Sequence, residues 1–183
     1  YSGQHQAAVQ AGFQALRMLK MGQIPKRVMT TTMMPKFFAT MCKLRRMSES
    51  DLSNRKTIED SRVEFCGRVL VLSAIFACLC QMNDALAFLL IRHMRMSLKR
   101  GYTRTTPVAF MACAKFAAKA GRFAEAARLR KIALKVANRF DAPDVESITM
   151  CICHIAITPM FDQIGTKGQC LGEEFTKLVN IGI

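Results

Sequence analysis

The sequence has no tryptophan and only two tyrosines, Tyr1 and Tyr102. Single-stranded nucleic acid is commonly read by stacking bases on aromatic or arginine planes. The scarcity of tyrosine therefore weakens that mode of binding. Glycine and proline are also scarce, at 10 and 5 of 183 residues, a composition that favours helix over turn-rich sheet. No glycine-rich phosphate loop occurs. Gly165, Thr166, Lys167 and Gly168 lack the leading glycine spacing of such a loop, and a helix connector is the plainer reading. The His-Arg-Asp and Asp-Phe-Gly triplets of protein kinases are missing as well. The longest uncharged apolar run, 69–83, falls short of the ~20 residues needed to cross a bilayer. No catalytic residue, cofactor or membrane span is expected.

Acid is scarce too, with 13 Asp and Glu against 27 Lys and Arg, for a net charge of +14. The excess is concentrated in 1–56 and 102–140, whereas 141–183 is acidic. A basic body can attract an acidic protein face, anionic lipid or nucleic acid, and charge alone does not choose among them.

What the chain has in quantity is apolar residues, 51% in all, including 13 Met and 12 Phe. They recur at helical spacing. The pattern predicts helices over 4–21, 26–47 with Pro35 as a kink or restart, 57–81, 85–100 capped by Asp84, 108–120, 122–140, 144–157 and 171–180. Ser48 or Ser50 is the expected cap of a short turn between the second and third of these. The 57–81 helix is apolar nearly all round and is expected at the centre of the packing. Short connectors between about eight helices describe an all-α chain of antiparallel hairpins.

On the 122–140 helix, Arg128, Lys131, Lys135 and Arg139 share one face, about 130° from the apolar face of Leu129, Ile132, Ala133 and Val136. This basic stripe is the candidate partner-binding surface. The eight cysteines lie in or beside apolar runs and are expected to be mostly buried and reduced, as in a cytoplasmic protein. Cys78 with Cys80, and Cys151 with Cys153 and His154, resemble metal pairs. Residues two apart on a helix point about 200° away from each other, so no metal site is expected. His5, His93 and His154 have no acid and nucleophile beside them and are read as ordinary histidines. Met29, Met33, Met34, Met41 and Met47 are read as core filling, with an adaptable docking surface as the alternative.

The segment from Phe110 to Ala127, continuing to Ala133 and Leu134, resembles one tetratricopeptide repeat. Small residues stand where its helices would cross closely, at Ala114, Ala126 and Ala133, and Gly121, Arg122 and Phe123 match the turn between them. Arg130 and Ala117 stand where that family carries aromatic residues.

A longer likeness runs from Ala8 to Phe140, through Ile24 and Pro25 and through Met94 to Gly101. It is similar to the helical region that follows the ATPase domain in large multidomain signalling kinases. The resemblance implies a tetratricopeptide-like α-solenoid over 1–160, with 161–183 as a loop and part of a further helix. It also implies that the chain is a fragment, as its opening on Tyr1 suggests. The expected role is non-catalytic protein interaction or regulation, contacting a protein partner or neighbouring domains. A basic helical nucleic-acid binder is the alternative.

Overall fold

The computed structural model describes residues 2–19, 30–140 and 143–152. These form eight α-helices: α1 (Ser2–Met18), α2 (Thr30–Arg46), α3 (Glu49–Ser53), α4 (Ser61–Leu79), α5 (Asn83–Arg100), α6 (Thr106–Lys119), α7 (Phe123–Ala137) and α8 (Pro143–Ile152). No strand occurs among the described residues. The one β-type pairing is an isolated bridge between Thr57 and Tyr102. The expected helix over 171–180 lies outside the described residues.

Two hairpins are built on the same turn. At the end of α4, Gln81 takes φ 56° and the Met82 N–H reaches back to the Ala77 carbonyl at 2.8 Å. At the end of α6, Gly121 takes φ 72° and the Arg122 N–H reaches the Ala117 carbonyl at 2.9 Å. A left-handed residue followed by this long backward bond closes a helix and turns the chain. Glycine adopts that conformation without steric cost, whereas Gln81 does so against its Cβ. The α4–α5 and α6–α7 hairpins follow, with α6 also against α5 and α8, and α8 also against α7. On the other side, α1 lies on α4, α2 on α5, and α3 on α7.

Two apolar clusters share α5 and α6. One joins Met41, Leu44 and Leu52 to Met94, Phe110, Leu129 and Ile132. The other joins Val9, Leu16 and Met33 to Leu70, Phe88, Leu89 and Val108. Ala114, Ala126 and Ala133 are fully enclosed in the first cluster. Replacing Ala126 by Leu adds three carbons where no space exists, and should destabilise the protein by about 1 to 3 kcal/mol in a thermal melt. An unchanged melting temperature would show that α6 and α7 do not cross closely at that position.

Several boundaries differ from the sequence expectation. α2 runs through Pro35 without a restart. Asp84 lies inside the first turn of α5, where its charge suits the helix N-terminus, and makes no cap: the cap position is Met82, with no side-chain bond. Ser48 does cap α3, accepting from the Asp51 N–H at 3.0 Å. α7 stops at Ala137 instead of 140.

α4 is not central on every side. Phe65, Leu72 and Leu79, seven residues apart, stand 53%, 56% and 61% exposed along one edge. Its contacts with α1 and α5 cover only part of its circumference.

The thiols also depart from expectation. Among the described residues Cys66 and Cys113 are buried, Cys80 is half-buried, and Cys42, Cys78 and Cys151 are exposed; all six are unbridged. Exposure of Cys78 on α4 follows from its place near that helix's uncovered edge. Cys153, His154 and Cys170 lie outside the described residues.

Candidate functional site

The four residues of the basic stripe have a partner within the chain. The Arg128 guanidinium donates to the Leu44 carbonyl at 2.8 Å and the Met47 carbonyl at 3.1 Å. It also pairs with Glu125 at 3.0 Å. Lys131 and Lys135 both meet Glu49, at 3.1 and 2.8 Å. Those two lysines hold the Glu49 carboxyl below its ordinary range, chiefly through their hydrogen bonds. Arg139 donates to the carbonyls of Ser53 at 2.8 Å and Arg55 at 3.0 Å.

The last turn of a helix leaves carbonyls without intrahelical donors, and cations stabilise the negative end of its dipole. The stripe therefore caps the ends of α2 and α3 from a third helix. The surface expected to face another molecule is turned toward the 44–55 segment, although Lys131 and Lys135 stay 62% and 51% exposed.

A second polar cluster lies where α4, α5 and α6 meet. His93 Nε2 is 3.2 Å from Thr105 Oγ1, which is 3.2 Å from Thr103 Oγ1. Thr106 Oγ1 accepts from the Thr103 N–H at 2.9 Å and lies 3.0 Å from Ser97 Oγ. Gly67 allows this approach: a Cβ there would stand 2.6 Å from Thr105 Oγ1. His93 is fully enclosed, its Nδ1 has no hydrogen-bond partner, and burial pushes its pKa down to about 4. A neutral histidine sealed among hydroxyls, with no route to solvent, is structural rather than catalytic. Nearby Cys113 is raised to about 12 by burial, so its thiol is inert at neutral pH. Among the described residues no group of three His, Cys, Asp or Glu could hold a metal.

The largest open feature was not anticipated from the sequence. A cavity of about 660 Å³ lies between α2 and α5, with α1 and α4 behind it. Lys36 and Lys43 reach it from α2, and Arg92, Arg95, Lys99 and Arg100 from α5. No carboxylate lines it. Its apolar wall is made by Leu16, Met33, Leu70 and Phe88.

The spacing explains the convergence: 36, 40 and 43 share one face of α2, and 92, 95 and 99 share one face of α5. Thr40, buried between the two lysines, donates its hydroxyl to the Lys36 carbonyl at 2.7 Å. The Arg92 guanidinium lies over the Phe88 ring, 5.7 Å from its centroid, a cation–π arrangement. Burial first, and then the Arg95 charge, pull the Arg92 pKa below the usual arginine range. Burial raises the Cys66 thiol, also at this cavity, against the lowering pull of Arg100, Arg62 and Arg92. A smaller cavity near 57–68 mixes Glu59 and Glu64 with Arg68, Arg104 and Arg139, so its charges largely offset one another.

The cations of the larger cavity are ordinary in the sequence. Lys99 and Arg100 read as a helix stop, and Arg92 and Arg95 as neighbours of a histidine. Only the apposition of α2 and α5 makes them one group. No helix of the described residues is long and apolar enough to cross a membrane. Compared with known protein families, curated proteins and solved structures, the chain matches none of them.

Proposed function

We propose that the chain is a non-catalytic, tetratricopeptide-like helical repeat module serving protein interaction and regulation within a larger ATPase- or kinase-containing signalling protein. The observation that carries this reading is the repeated hairpin. Gln81 and Gly121 close the same turn forty residues apart, and α8 packs back on both α6 and α7 as a third unit would.

Stacked hairpins bury a continuous core and leave extended surfaces for partners. The forty-residue spacing exceeds the 34 of a tetratricopeptide repeat. The added length resides in α4 and α5, of 19 and 18 residues against 14 and 15 for α6 and α7, and in the connector before Thr106. The absence of catalysis is supported by the sealed, neutral His93 and by the raised Cys66 and Cys113 thiols.

The basic nucleic-acid reading differs in a measurable way. A phosphate track needs a continuous cationic band, and binding then falls with salt at a slope near −0.9 per phosphate neutralised on duplex DNA. In this fold Arg128 and Arg139 are committed to backbone carbonyls. Titrating generic duplex and single-stranded nucleic acid over 50–200 mM salt should show only weak binding that charge reversal at Lys131 and Lys135 leaves unchanged. Tight, salt-sensitive binding that the reversal abolishes would overturn the interaction-module reading.

A further inference from the structure

We propose that the cavity between α2 and α5 binds an anionic amphiphile, its phosphate or carboxylate head among Lys36, Lys43, Arg95 and Lys99 and its apolar body against Leu16, Met33, Leu70 and Phe88. The inference stands on the cavity alone and does not require the repeat reading.

Three observations converge on it. Six cations from two helices line one cavity with no carboxylate among them. Like charges gathered beside low-dielectric walls repel one another and focus a positive field, which an anion entering the cavity relieves. The cations are not spread over a flat surface, because the cavity of about 660 Å³ has the size of an ordinary small-molecule site. Its inner wall is apolar: Leu16 is 0%, Met33 7%, Leu70 1% and Phe88 6% exposed.

Each half of the ligand follows from one half of the lining. A bare inorganic anion would satisfy the cations and leave the apolar wall in contact with water. A neutral amphiphile would cover the wall and leave the cations repelling. The two requirements are met together by a molecule with one anionic end and a hydrocarbon or aromatic body. Each buried methylene then strengthens binding several-fold. Arg92 contributes by lying over Phe88, which places a delocalised cation at the boundary between head and body.

The test is isothermal titration of the protein with dodecyl phosphate, kept below its micellar concentration, alongside inorganic phosphate and uncharged dodecyl maltoside. The expected result is one saturable site for dodecyl phosphate, with inorganic phosphate and the maltoside each at least tenfold weaker. Lys43→Glu combined with Arg95→Glu should weaken dodecyl phosphate at least tenfold. Both side chains are exposed on their helices, and a circular-dichroism melt would confirm that the fold survives. Ala39→Trp, at an exposed position on the cavity lining, should block the site without altering charge.

Equal binding of inorganic phosphate would overturn the proposal by showing a charged surface without an apolar subsite. Equal binding of the maltoside would overturn it by showing an apolar subsite indifferent to charge. Affinity for dodecyl phosphate untouched by both variants would place binding elsewhere. Co-sedimentation with phosphatidylserine vesicles, without monomer binding, would assign these cations to a membrane surface instead.

Discussion

Arg128→Met should lower the unfolding free energy by about 3 kcal/mol in urea denaturation. Methionine keeps most of the apolar stem, so the loss isolates the guanidinium. That group donates to Leu44 and Met47 and pairs with Glu125. Removing it strips two carbonyls at the end of α2 of a charged donor and leaves the Glu125 carboxylate, only 15% exposed, without its cation. Groups left unsatisfied in partial burial cost more than the average hydrogen bond contributes. Lys131 and Lys135 offer the internal control, since both are more than half exposed and meet Glu49 at the surface. Replacing either by Met should change stability by well under about 1 kcal/mol. If all three substitutions cost the same, the stripe would be a generic charge effect and not a set of carbonyl caps.

His93 makes the fold acid-sensitive. Its folded pKa of about 4 lies below the ordinary 6.5 because burial disfavours the imidazolium. In the window between those values the unfolded chain takes up a proton that the native protein excludes. Stability is therefore complete above pH 6.5 and falls as pH drops toward 4. The difference amounts to about 2 kcal/mol between pH 7 and 5, and about 3 kcal/mol once the pH passes below the folded value. His93→Leu should flatten that dependence, because the unfolded variant has no imidazole at 93 to charge. The Thr105 hydroxyl it abandons keeps Thr103 as a neighbour at 3.2 Å. Urea titrations of both proteins at pH 7 and 5 decide the matter. Parallel losses in the two would show that His93 is not the acid-labile group.

Much of the architecture was legible from local chemistry. Ser48 ahead of Glu49, Gly121 between two alanine-rich runs, and Thr105 with Pro107 mark helix ends by rules that operate over a few residues. The close α6–α7 pairing was legible for a similar reason, because Ala114, Ala126 and Ala133 occur at spacings suited to a tight crossing.

What escaped the sequence was long-range. The basic stripe on α7 was visible as a stripe, but its partner, the 44–55 segment, lies 81 to 86 residues away and carries no mark of the pairing. Backbone carbonyls are the acceptors, and every residue has one. The cavity escaped likewise: Lys36 and Lys43 on one helix and Arg95 and Lys99 on another are unremarkable singly, and no periodicity reports that α2 lies on α5. His93 misled in the other direction. Flanked by Arg92 and near Arg95, it reads as surface, yet the α4–α5–α6 junction closes over it because Gly67 lets the threonines in.

The capping of α2 and α3 by α7 also sets an order of events. The donors at 128 and 139 are synthesised long after the carbonyls they satisfy, 84 residues separating Leu44 from Arg128. At ~5–20 residues per second this gap is on the order of ten seconds of translation. Throughout that interval the end of α2 emerges from the ribosome with those carbonyls facing water. The N-terminal third is thus finished by the C-terminal half, and docking of the 44–55 segment becomes a late, high-contact-order step in maturation of the chain.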